Sequence, residues 1–135
     1  MTTIATTAAS ARSRAVAYWV ATGLVAANLA VGGVWDLLQT PYVRGMMEHL
    51  GYPEYFVVIL GVWKLPGAAV LLLPGLPRLK EWAYAGAVFT FTGAVASHLT
   101  VGDGPAAFVP PVILTGLTAA SWLLRPPARR DPTPA

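Results

Sequence analysis

The stretch Phe56-Val-Val-Ile-Leu-Gly-Val-Trp-Lys64-Leu-Pro66-Gly-Ala-Ala-Val-Leu-Leu-Leu73 decides the fold class, because apart from one lysine and one proline it reads as a membrane-spanning helix. An α-helix needs about 20 apolar residues to cross a hydrocarbon core of about 30 Å. A lysine near the middle of such a helix costs about 3 kcal/mol to insert, so it ordinarily faces a partner, a cavity or a substrate path. Lys64 is therefore the first candidate functional residue.

The composition of the whole chain agrees with a membrane protein. Hydrophobic residues make up 56% of the 135 positions and charged residues 11%, with a mean hydropathy of +0.58. This is too apolar for a soluble domain of ordinary composition. The net charge is +3, but the basic residues flank apolar segments and form no stripe with interleaved aromatics, so we expect no nucleic-acid partner.

Four apolar segments are long enough to cross a bilayer: about 15–38, 55–73, 82–101 and 106–124. None shows the polar face that a helix of a soluble bundle would carry. The first is longer than the apolar core of a secretory signal and is expected to stay as a helix. The sequence thus predicts an all-α bundle of four transmembrane helices over residues 15–124, with disordered segments at 1–14 and 125–135.

The positions of the basic residues predict the orientation. Seven of the nine Lys and Arg residues lie before the first segment, between the second and third, or after the fourth. Because cytoplasmic loops carry the excess of Lys and Arg, both termini are expected in the cytoplasm of a plasma-membrane protein.

The connection from Gln39 to Pro53 has a helical pattern of its own. Val43, Met46, Met47 and Leu50 recur at spacings of three and four, which predicts a short amphipathic helix on the outer surface. It either seals the end of the bundle or covers a pocket.

Small residues are expected to bring the spans together, since lipid provides no hydrophobic drive between helices. The stripe on the third span consists of Gly86, Thr90, Gly93 and Ser97, and that on the first of Gly23, Ala26, Ala27 and Ala30.

Depth along the helices predicts which polar residues lie near Lys64. At 1.5 Å per residue its Cα lies about 15 Å below the outer surface, and its ammonium can extend outward. The polar residues at that level are Asn28, Asp36, Ser97 and His98. We therefore expect a polar cluster of Lys64, Asp36, His98, Asn28 and Ser97 open to the outer face. Two distant histidines and no cysteine give little basis for a metal site.

Three further motifs carry a resemblance to a known family. They are Ile59-Leu-Gly-Val-Trp-Lys64-Leu-Pro-Gly67, Pro77-Arg-Leu-Lys-Glu-Trp-Ala-Tyr-Ala-Gly86 and Ala96-Ser-His98, preceded by the shorter stretch His49-Leu-Gly-Tyr-Pro53. In this order they resemble the DoxX-like family of small four-span membrane proteins. The resemblance implies a place in a membrane oxidoreductase system, with Lys64, Lys80, Glu81, Ser97 and His98 matching the family's polar positions.

Redox chemistry would have to come from outside the chain. Without cysteine, and without a haem or flavin motif, we assign no catalytic residue. The resemblance implies a noncatalytic subunit that binds a quinone or docks an oxidoreductase partner, with Lys64 and His98 as hydrogen-bond donors. Two alternatives stay open: a small proton-coupled permease, and a structural assembly protein, either of which could form a homo-oligomer.

Overall fold

A computed structural model of the protein describes residues 2–130, and every regular element in that range is an α-helix. The six helices are α1 (Thr2–Leu38), α2 (Pro41–Leu50), α3 (Glu54–Leu72), α4 (Pro77–Thr100), α5 (Pro105–Leu123) and α6 (Pro127–Arg130). The predicted all-α class is confirmed.

Within residues 2–130, three helices are long and apolar enough to cross a membrane: α1, α3 and α5. The fourth long helix, α4, covers the third predicted span but begins with the charged run Arg78, Lys80 and Glu81. The prediction of apolar helices long enough to cross a membrane is therefore confirmed for three of the four segments.

The long helices contact one another pairwise, α1 with α3 and α5, and α4 with the same two helices. Their shared core is formed by Val25, Leu29, Ala68, Leu71, Tyr84, Ala87 and Phe91. Outside it, large apolar side chains are exposed: Trp63 is 72% exposed and Phe89 is 75% exposed. An apolar exterior over a small core is what lipid-facing helices require.

A buried polar network ties three of these helices together. The Ser121 hydroxyl lies 2.6 Å from that of Thr22 and 2.7 Å from that of Tyr84. It joins α5 to α1 and α4. All three side chains are almost fully buried, and because a hydroxyl can both donate and accept, each finds a partner without water.

The described helices extend on both sides of residues 15–124. Residues 2–14, for which we predicted disorder, continue α1 as an exposed helix. At the other end Arg125 is buried, and α6 packs Arg129 against α3, whose Leu71 and Leu72 carbonyls accept hydrogen bonds at 3.0 Å. Met1 and the remainder of the predicted tail, 131–135, lie outside the described residues.

The predicted amphipathic helix is present as α2. The Thr40 side chain accepts a hydrogen bond from the Val43 amide at its start. Gly51 ends it in the left-handed conformation at φ 82°, which favours glycine. Val43 and Met47 are buried against Val57 of α3, so the apolar face of α2 lies over one end of the long helices.

Candidate ligand-binding site

Lys64 lies midway along α3 and forms an ion pair with Asp36 near the end of α1. Its ammonium nitrogen is 2.7 Å from Asp36 Oδ2. The lysine side chain is 18% exposed and the aspartate side chain 7%. A charge pair this sheltered from solvent is strongly coupled, since removing either partner would leave the other charge buried alone.

Two glycines bring these charges within reach. A Cβ added to Gly61 of α3 would lie 2.9 Å from the Gly33 carbonyl oxygen of α1, so the two backbones are nearly in contact. Lys64 follows Gly61 by three residues, and Asp36 follows Gly33 by three. A Cβ at Gly33 would lie 3.2 Å from Lys64 Cβ, so the lysine leaves α3 beside Gly33, and its ammonium reaches Asp36 on the same face of α1 one turn further along.

Asp103, in the connection between α4 and α5, bridges two histidines. Its Oδ2 lies 2.7 Å from His98 Nδ1, at the end of α4, and its Oδ1 lies 2.8 Å from His49 Nε2, on α2. Hydrogen bonds from His98, and then from His49, hold the pKa of Asp103 below its ordinary value of 3.8. The carboxylate therefore fastens α2 to the end of α4.

A cavity of about 370 Å³, which we call the Lys64 cavity, lies between α2, α3 and α4. The Lys64 and Asp36 side chains line it on one side, and Ser97 and His98 on another. The remaining lining is mostly apolar: Val43, Met46, Met47, Leu50, Phe56, Leu60 and Phe89. A mainly apolar chamber with a few convergent polar groups is the usual form of a small-molecule site.

Lys64 also borders a second, smaller space. This α3–α4 cavity, of about 80 Å³, is lined by Lys64 together with Leu60, Thr90, Leu29, Trp63, Gly67, Ala83, Gly86 and Ala87. Leu60, Lys64 and Thr90 line both cavities. The lysine thus lies where the two spaces adjoin.

The structure brings together four of the five residues of the predicted cluster. Lys64, Asp36, Ser97 and His98 all line the Lys64 cavity. Asn28 does not: its side chain is exposed, and it is not among the residues that line either cavity. Eight residues separate it from Asp36, which turns it about 80° away around α1.

Two residues of the site were not singled out from the sequence. The Tyr52 hydroxyl lies 2.7 Å from Ser97 Oγ at the cavity, and Asp103 holds both histidines. Both lie in short connections between helices. The spacing of residues there does not predict which side chains face the same way. His49, on the exposed side of α2, is 55% exposed yet bound to Asp103.

The polar residues of the second motif form a different cluster at the α6 end of the protein. Lys80 is fully buried, and its ammonium donates to the carbonyls of Val70, at 2.7 Å, and Leu73. Glu81 accepts from Arg125 at 2.6 Å and from the Trp122 indole at 2.9 Å. These contacts cap the end of α3 and join α4 to α5, so they stabilise the helix assembly.

Comparison with protein families identifies the class. The model of the DoxX-like family matches residues 20–121, about three quarters of the chain. The protein belongs to the DoxX-like family, and its apolar helices agree with a membrane protein. No curated protein and no solved structure matches the chain.

Proposed function

We propose that this protein spans the membrane four times, with both termini in the cytoplasm, and that its Lys64 cavity binds a quinone for a membrane oxidoreductase. The α2 end of the molecule then faces outward. In this arrangement α4 is the third span, and its charged first turn lies at the inner interface, where Lys80 donates to the Val70 carbonyl of α3 and Glu81 is paired with Arg125.

The observation that carries the quinone proposal is the composition of the cavity wall. A quinone is a flat apolar ring with a carbonyl acceptor on each side, so its site needs an apolar slot with donors at separate places. Phe56, Leu60 and Phe89 provide apolar surface, Lys64 provides a cationic donor, and Ser97 and His98 provide further polar groups. The volume lies within the range of about 300–1,000 Å³ found for small-molecule pockets.

The protein would act as a noncatalytic subunit. The sequence has no cysteine to ligate a cluster or exchange disulfides, so the electrons would be carried by the quinone and by a partner enzyme. The role of this chain is then to hold the quinone ring and to fix its protonation environment through Lys64 and Asp36.

Quinone retention on purification tests this proposal. The wild-type protein, purified in a mild detergent and extracted with organic solvent, should release quinone detectable by mass spectrometry. The double variant Lys64→Met/Asp36→Asn, which removes both charges together, should release far less. Asn28→Leu serves as the matched control, because its exposed side chain lies outside the cavity. A wild-type protein that neither retains quinone nor is thermally stabilised by an added short-chain quinone contradicts the proposal.

The position of Lys64 between two cavities favours one alternative function, a proton-coupled transporter. In that case the ion pair of Lys64 and Asp36 would open and form again as a solute passes from the Lys64 cavity toward the α3–α4 cavity. Proteoliposomes would then show a pH-gradient-driven flux that Lys64→Met abolishes. Flux without quinone retention would select this function over the first.

A further inference from the structure

A groove between α1 and α5 at the α6 end of the protein is independent of the Lys64 cavity. We call it the α1–α5 groove; it encloses about 590 Å³ and is lined by Arg12, Ser13, Val16, Ala17, Val20, Ala21, Leu117, Ala120 and Leu124. Seven of these nine residues are apolar, and the two polar ones are neighbours at one end. The groove is thus an elongated amphipathic surface with a single charged end.

The length of the groove suits an alkyl chain. From Arg12 to Ala21 it follows α1 for nine residues, which is about 13 Å at 1.5 Å per residue. The lining alternates small and branched side chains, with Ala17 and Ala21 beside Val16 and Val20. Such a surface accepts a flexible chain along the helix axis, and in a bilayer an acyl chain is the apolar group available at every position.

The charged end of the groove lies in a strongly basic region. Arg12, Arg14, Arg78, Lys80, Arg125, Arg129 and Arg130 lie at this end of the described chain, together with one carboxylate, that of Glu81. Glu81 is paired with Arg125. Within residues 2–130 neither Arg12 nor Arg14 forms an ion pair, although Arg14 donates a hydrogen bond to the Leu123 carbonyl at 3.0 Å. The excess positive charge matches an anionic ligand.

A second pocket on the other side of α1 extends the basic region. It encloses about 470 Å³ and contains Arg14, Arg125 and Arg130 beside the rings of Tyr18 and Trp19, and it shares Leu124 with the α1–α5 groove. Aromatic rings next to arginines are typical of the headgroup level of a membrane. The charged end of the groove therefore lies where the phosphates of lipids are found.

From these observations we infer that the α1–α5 groove is a binding site for an anionic glycerophospholipid. One acyl chain lies along Val16, Val20 and Leu117, and the phosphate lies at Arg12. Basic pockets beside transmembrane helices recognise lipid headgroups by this charge complementarity. Zwitterionic lipid fits the apolar part equally well but gains less from the arginine.

Lipid competition in detergent tests the site. The delipidated protein is mixed with equal amounts of phosphatidylglycerol and phosphatidylcholine of the same chain length, and the bound lipid is counted by native mass spectrometry. Wild-type protein should prefer phosphatidylglycerol, and Arg12→Gln should reduce that preference about fivefold, the effect of one interfacial arginine. Arg44→Gln is the matched control, since Arg44 is exposed at the opposite end.

A second pair of variants tests the apolar part of the groove. Ala17→Phe should lower the number of bound lipids of both kinds, because Ala17 is exposed within the groove. Ala27→Phe, at an exposed position on the same helix outside the groove, should not. Equal binding of the two lipids by wild type would overturn the inference. So would displacement of phosphatidylglycerol by inorganic phosphate alone, or a dimer that occupies this face in place of lipid.

Discussion

At the scale of single residues, the ion pair of Lys64 and Asp36 is the feature on which any function of the cavity depends. Both charges are largely withdrawn from water, yet they touch a cavity. Replacing a buried pair by apolar groups is often nearly neutral, whereas removing one member leaves an uncompensated charge. The intact pair is therefore expected to add little net stability, while both of its side chains border the cavity.

The first prediction separates these two contributions. Lys64→Met should lower the free energy of unfolding by about 3 kcal/mol, because Asp36 is left buried without its partner. Lys64→Met/Asp36→Asn should recover at least half of that loss. The measurement is equilibrium unfolding in detergent micelles with each variant at the same pH. A double variant as unstable as the single one would mean that the lysine acts through its packing and not through its charge.

The sequence was sufficient to predict this pair but not the whole cluster. Depth along the spans placed Asp36 at the level of Lys64, and the structure joins them at 2.7 Å. Depth does not fix rotation about the helix axis, and Asn28, about two turns from Asp36 along α1, is exposed. The rotation is set by the crossing of Gly33 and Gly61, a contact between two segments that no periodicity within one segment reveals.

At the scale of helices, that glycine crossing determines how close α1 and α3 approach. A Cβ at Gly61 would lie 2.8 Å from Leu37 Cγ and 2.9 Å from the Gly33 carbonyl oxygen, so one of the helices must move. Gly61→Ala should therefore destabilise the protein by about 1–3 kcal/mol. Gly116→Ala is the control: its Cβ meets open space, and alanine in a helix gains roughly 0.5–1 kcal/mol over glycine. Thermal unfolding of both variants in one detergent should give a lower melting temperature for Gly61→Ala than for Gly116→Ala. Two equal melting temperatures would contradict this prediction.

The small-residue stripe of α4 has a different role from the one expected. Gly86, Thr90, Gly93 and Ser97 were predicted to bring α4 against a neighbouring helix. Instead a Cβ at Gly86 or Gly93 would meet no atom within 4 Å, and all four residues line the two cavities. Small residues permit close packing and also leave space, and the sequence alone does not distinguish these outcomes.

The attachment of α2 through Asp103 predicts a dependence on pH. The pKa of Asp103 is lowered in the folded protein, so the carboxylate stabilises the attachment fully above its ordinary pKa of 3.8. This contribution is lost as the pH falls through the lowered value. Amide hydrogen exchange across α2, corrected for the intrinsic pH dependence of exchange, should accelerate between about pH 5 and pH 2.

The matched variant is Asp103→Asn, which cannot ionise at this position. In this variant the amides of α2 should exchange faster than in the wild-type protein at neutral pH. On acidification, their exchange rate should change no more than that of the other helices. An α2 that is equally protected in both proteins would show that Val43 and Met47, packed on Val57, hold the helix without the carboxylate.

At the scale of the whole molecule, the membrane topology connects the cavity, the basic groove and the helix assembly. With the proposed cytoplasmic N-terminus, an α4 that crosses the membrane leaves the α2 end outside and the basic α6 end in the cytoplasm. If it does not, Asp103 lies on the inner side and the end of α5 lies outside, and the 2.8 Å contact between Asp103 and His49 of α2 could not form. The charged first turn of α4 is compatible with crossing because Lys80 is buried against α3 carbonyls and Glu81 is paired with Arg125.

The absence of native cysteine makes the topology directly measurable. Single substitutions Ser10→Cys, Glu48→Cys, Thr100→Cys and Ala128→Cys place a thiol at each end of the long helices, all at exposed positions. A membrane-impermeant maleimide added to intact cells should label Glu48→Cys and Thr100→Cys only. The other two should react after the membrane is opened. Labelling of Ala128→Cys with protection of Thr100→Cys would mean three crossings, because α4 would then return without spanning. That result would contradict the contacts of Asp103 with His49 and of Arg129 with the end of α3, and the quinone and lipid sites would have to be assigned anew.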